Sequence, residues 1–165
     1  MNVTPDCNYS LRIITPSTSE QTPSCELMIF DTPTGKILDG AVLEAALVWG
    51  DLLLLCMTDD VPYEEGLRIV LLDQDYKTLD SALIGAMYST GVFSDLDLTE
   101  ADTVRFRFFR GLVYTLTLLP QASFALPFFS DPGAVWRPFK WTRRFRLDAR
   151  PLPQTGTPPT ATPPQ

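Results

Sequence analysis

Between positions 59 and 65 the chain reads Asp59-Asp60-Val61-Pro62-Tyr63-Glu64-Glu65, four carboxylates and a phenol in one short run. Carboxylates held close together repel, so one titrates high and can keep a proton that its neighbour has lost. Such a pair can cleave a glycosidic bond, and the same oxygens suit a magnesium ion. Pro62 and Gly66 punctuate the run as an ordinary solvated connection. The function it suggests is recognition. Asp59, Asp60, Glu64 and Glu65 form an anionic rim around Tyr63, an aromatic anchor that loses little rotamer freedom on binding. A loop of this kind is held by the strand before it, and its charge draws in a protein partner with a basic surface.

A second distinctive stretch is Trp136-Arg137-Pro138-Phe139-Lys140-Trp141-Thr142-Arg143-Arg144-Phe145-Arg146. It interleaves bases with aromatics, as platforms for single-stranded nucleic acid do. Arg137, Lys140, Arg144 and Arg146 make an alternative basic surface. Two features count against nucleic acid. Strand alternation predicts Phe139, Trp141, Phe145 and Leu147 inward, with Lys140, Thr142, Arg144 and Arg146 outward. The net charge of −7 also raises the cost of approaching phosphates. Arg143 breaks the alternation. Either a bulge turns it outward, or it is a buried guanidinium that needs a carboxylate partner.

The inventory of reactive groups is otherwise thin. The chain has no histidine, which removes Ser-His-Asp and Cys-His activation and every His-containing metal site. Cys7, Cys25 and Cys56 are too scattered for a disulfide framework or a Cys-only zinc site. Cys56 follows four leucines and reads as a small buried hydrophobe. No G-x-G-x-x-G, G-x-x-x-x-G-K-[ST] or G-x-S-x-G occurs. Asp73-Gln74-Asp75 and Asp95-Leu96-Asp97 do not continue into a calcium loop. These absences predict a protein that is not an enzyme, with no cofactor and no metal.

The elements that position these stretches read as strands. Turn signals come at short spacing between apolar runs at 25–31, 41–49, 52–58, 67–73, 104–109, 112–119 and 139–147. Val104, Phe106 and Phe108 share one face of their run while Arg105 and Arg107 share the other. Residues 52–57 are apolar on both faces, as a central strand covered on two sides would be. Gly50-Asp51 suits a type II′ hairpin and Arg110-Gly111 another tight turn. Residues 32–35 read as the turn after the first strand. Residues 76–90 fit strand or helix, with the balance towards strand, and 42–48 share the doubt. The expected fold is mostly β, an antiparallel meander forming a sheet, sandwich or partly open barrel with at most one or two short helices.

Residues 1–24 read as an irregular lead-in, with a short edge strand at 9–14. Residues 25–150 form one β-rich domain, and 151–165 a disordered Pro/Thr-rich tail. The N-terminus lacks the pattern of a signal peptide, and no apolar run approaches the ~20 residues of a membrane span. A cytoplasmic protein without membrane contact is expected. Charge divides unevenly: residues 1–104 carry 18 acids and 4 bases, net −14, and residues 105–165 carry 2 acids and 9 bases, net +7. Cross-strand pairing between the halves would absorb much of it. The profile is that of small bacterial binding proteins, immunity proteins among them. The functional expectation is a non-catalytic protein-binding module, an inhibitor or immunity-type partner. An assembly or adaptor subunit is the alternative, ahead of a nucleic-acid binder.

Overall fold

Six consecutive apolar residues, Leu52 to Met57, set the architecture, because an extended chain sends alternate side chains to opposite faces and both faces then need a cover. The computed structural model describes residues 1–18, 21–60, 65–85, 89–109, 111–125 and 131–152, and among them there is no helix. The chain opens with β1 (Thr4–Pro5), β2 (Tyr9–Thr15), β3 (Ser24–Ile29), β4 (Thr32–Asp39), β5 (Val42–Trp49) and β6 (Leu52–Thr58). There follow β7 (Leu67–Leu72), β8 (Thr78–Ile84), β9 (Ser94–Asp97) and β10 (Thr103–Arg107). The long β11 (Leu112–Phe124), the short β12 (Val135–Trp136) and β13 (Thr142–Pro151) complete the order.

These strands make three antiparallel sheets, none closed into a barrel. A six-stranded sheet, β1-β5-β6-β7-β8-β12, lies between a four-stranded sheet, β13-β11-β10-β9, and a three-stranded one, β2-β3-β4. Strand β6 shows why. Leu54 and Cys56 join Ile69, Leu71 and Ile84 against Phe106, Tyr114, Leu116, Phe145 and Leu147 of the four-stranded sheet. Leu53, Leu55 and Met57 join Val70 and Leu72 against Cys25, Leu27 and Leu38 of the three-stranded sheet. Each leucine fully buried in this way contributes about 1.5–3 kcal/mol relative to exposure.

Most of the expected strands are present. Residues 42–48 and 78–84 are strand, not helix, although Ala86 and Met87 of the helical alternative lie outside the described residues. Strand β2 is an edge strand, and within the lead-in Val3 is also buried in the larger core. Gly50 has φ +60° while Asp51 stays out of the left-handed region, as a type II′ turn requires. Arg110 lies outside the described residues, as does the tail from 153 onward. Pro151 belongs to β13, and the Leu152 N–H donates to Gly111 O at 2.9 Å.

One turn moves. Residues 32–35 are not the turn but part of β4; the chain reverses at Phe30-Asp31, both left-handed (φ 47° and 59°), with Ile29 opposite Thr32. Two left-handed residues match the twist of a hairpin, which outweighs the separate signals of Pro33 and Gly35. Pro33 is tolerated because β4 is an edge strand and needs no N–H there.

Candidate functional site

Alternation along β8 sends Asp80, Ala82 and Ile84 to the same side, towards the four-stranded sheet. A carboxylate in that row is fully buried and must find partners inside the protein. Backbone N–H groups of Ser81 and Arg144 donate to it at 2.9 and 2.8 Å. Arg137 Nη1 lies at 3.3 Å and Arg143 Nη1 at 3.7 Å. The cluster closes on itself. Arg137 Nε stands 2.9 Å from Asp131, its Nη2 donates to Phe145 O at 3.4 Å, and its Cζ sits 4.3 Å over the Phe145 ring. Arg143 donates twice to Pro138 O, at 3.2 and 3.1 Å. Burial lowers the pKa of Arg137, opposed by Asp131 and Asp80. Two arginines against two aspartates leave no net charge inside.

Arg143 is therefore the buried guanidinium, with Asp80 its carboxylate. Arg137 corrects the expectation of an outward base, since its side chain is 3% exposed. Lys140 is half-buried, its Nζ donating to Leu79 O at 3.2 Å. Arg144 is half-buried with Nη2 on Pro120 O, and Arg146 is exposed with Nη2 on Ser123 Oγ, each at 3.3 Å. Both flank the bulge of β11 between Leu118 and Ser123. Asp80 and Asp131 went unnoticed in the sequence. The one signal for them was Arg143, whose broken parity demanded a carboxylate somewhere.

The same cluster turns aromatics outward. Strand β13 begins at Thr142, not Phe139, because Pro138 has no N–H for a ladder and its carbonyl is taken by Arg143. Phe145 and Leu147 are buried as expected, but Phe139 and Trp141 are 61% and 55% exposed. Phe124 and Trp136 are exposed as well. Trp141 stacks on Phe124 with centroids 6.1 Å apart and meets Phe139 edge-on at 5.5 Å. Trp136 and Phe139 line a cavity of about 310 Å³ that Arg137 and Arg143 also border. Ala134, beside it, is held at φ +71°. A groove of about 440 Å³ lies on the other side of Trp136, between β4 and β8.

The acidic loop is brought together only in part. Asp59 is largely buried and meets Arg68 in a bidentate pair, at 2.8 and 3.2 Å. Asp60 is exposed at φ +53°, and its N–H donates to Glu65 Oε1 at 3.2 Å. Tyr63 and Glu64 lie outside the described residues. Among the described residues no three His, Cys, Asp or Glu groups converge on a metal site, and no helix is long and apolar enough to cross a membrane. Comparison with known proteins gives no matching family model, curated protein or solved structure.

Proposed function

We propose that this is a non-catalytic protein-binding module whose interface is the surface of Phe124, Trp136, Phe139 and Trp141. The observation that carries this is their exposure: four large aromatics, each more than half accessible, with Phe139 and Trp141 on a segment anchored by a buried ion cluster, Trp136 next to it and Phe124 of β11 stacked on Trp141. A contiguous exposed apolar patch marks an interaction site more often than it decorates a surface. Tryptophan is the residue most enriched among side chains that dominate binding energy. The rigid base limits the ordering cost of association. An inhibitor or immunity-type partner in a bacterial cytoplasm is the form we favour, with an assembly subunit as the alternative. The acidic loop is a second contact, where Asp60 and Glu65 would meet a basic part of the partner.

Affinity capture from the native host tests this with the wild type, Trp136→Ala/Trp141→Ala and Asp60→Lys/Glu65→Lys, each checked for folding by circular dichroism. A protein recovered in stoichiometric amount with wild type should be lost with the tryptophan variant. Its retention there, with loss in the charge-reversed variant, would move the interface to the acidic loop.

A further inference from the structure

We infer that the partner presents an extended acidic segment to this surface, its carboxylates meeting Arg144 and Arg146 while its apolar side chains cover the aromatics. The inference rests on the reading of that surface as the interface. Elsewhere on the molecule, bases are neutralised by carboxylates of the chain itself. Arg12 pairs with Glu26, Arg68 with Asp59, Lys77 with Asp75, Arg107 with Asp95 and Arg150 with Asp148. Arg105 reaches both Asp97 and Glu100, and the two buried arginines share Asp80. Among the described residues, Lys36, Lys140, Arg144 and Arg146 alone have no carboxylate within ion-pair distance. In a protein of net charge −7 such bases should be scarce, and three of these four fall between residues 140 and 146, beside the exposed aromatics.

Geometry sharpens the chemistry. Arg144 and Arg146 are each tethered to the β11 bulge by one hydrogen bond from Nη2, so their guanidiniums are placed before a ligand arrives. A guanidinium fork with donors to spare binds a carboxylate in two-pronged fashion. The positive strip is also short. Asp148, paired with Arg150, stands two positions beyond Arg146, and Asp131, paired with Arg137, borders the cavity at the other end, so the uncompensated charge is confined to a few bases. A single-stranded nucleic acid carries a phosphate at every step and would run past the strip onto neutral pairs of a net negative protein. A peptide can place two or three carboxylates over the strip and none beyond it. The cavity between Trp136 and Phe139 then takes an apolar side chain.

Fluorescence anisotropy separates the possibilities with three labelled probes of about twelve units: a peptide alternating Glu with Pro and Trp, the same peptide with Lys for Glu, and oligothymidylate. The acidic peptide should bind about tenfold or more tighter than either other probe. Arg144→Glu/Arg146→Glu should weaken it about tenfold or more, and Arg144→Gln/Arg146→Gln should weaken it in the same direction if the reversed variant does not fold. Preference for the basic peptide or the oligonucleotide, no binding of any probe, or indifference to both arginine variants would overturn the inference. If the arginine variants change nothing while Trp136→Ala/Trp141→Ala still abolishes capture of the native partner, the interface stands and only its acidic ligand falls. If the tryptophan variant is also silent, the interface reading fails.

Discussion

Arg105 and Arg107 on β10 stay at the surface and reach carboxylates close by, whereas Arg137 and Arg143 turn into the protein to reach Asp80. The first two side chains are 40% and 42% exposed, and Arg107 lies 2.9 Å from Asp95 at the neighbouring strand. The second two are 3% and 7% exposed, and Asp80 is 57 residues away from Arg137 in sequence. Surface pairs of the first kind contribute about 0–1 kcal/mol, because water already solvates both partners. A buried cluster gains little net stability over apolar packing, yet removing one member leaves a charge with nowhere to go. Its value here is positional. It joins β8 to the edge of β13, fixes the segment 137–143 at both ends and leaves Phe139 and Trp141 facing water.

The largest effect should follow from Asp80→Ala, which leaves Arg143 without a carboxylate, Arg137 with Asp131 alone, and the Ser81 and Arg144 N–H groups without their acceptor. A loss of about 3–5 kcal/mol is expected in urea unfolding, read as a shifted midpoint at constant slope. Arg143→Ala should cost nearly as much, and Arg144→Ala no more than about 1 kcal/mol. Equal small losses for Arg143 and Arg144 would break the contrast between inside and outside.

A smaller change of opposite sign should come from the loop that carries Asp131. Ala134 holds a left-handed backbone that disfavours a Cβ by about 1–2 kcal/mol. Ala134→Gly should therefore raise stability by about 1 kcal/mol, measured by thermal or urea unfolding. No gain would mean that the loop's strain is relieved elsewhere.

The least effect belongs to the outer face of β10. Arg105→Ala should cost about 0–1 kcal/mol, less in high salt than in low. Its partner Asp97 adds a pH signature. The Thr99 hydroxyl and backbone N–H, ahead of the Arg105 charge, hold its carboxyl below the usual 3.8. A carboxyl lowered on folding stabilises above its unfolded pKa, and that contribution fades as pH falls through the folded value. Thr99→Ala should accordingly flatten the acid limb of a stability–pH profile between about pH 4 and its low end. An unaltered limb would remove Asp97 from the account.

Local sequence was enough wherever a strand's own period decided the outcome. The two-faced run of β6 demanded a cover on each side, and both covers are present. The alternation of β10 placed Phe106 in the core and Arg105 outside it. Gly50-Asp51 carried its own turn geometry. These are interactions between near neighbours, which a linear reading can follow. The candidate site was legible only as an anomaly, the misplaced Arg143. Leu79-Asp80-Ser81 gives no local hint that its carboxylate is buried, and its partners arrive from positions 137, 143 and 144. Only the packing of the β8 edge against β13 brings them together. Once a buried carboxylate is there, desolvation requires that guanidiniums follow it inside, even against strand parity. That requirement, together with Pro138, exposes Phe139 and Trp141, whose inward place the alternation had predicted.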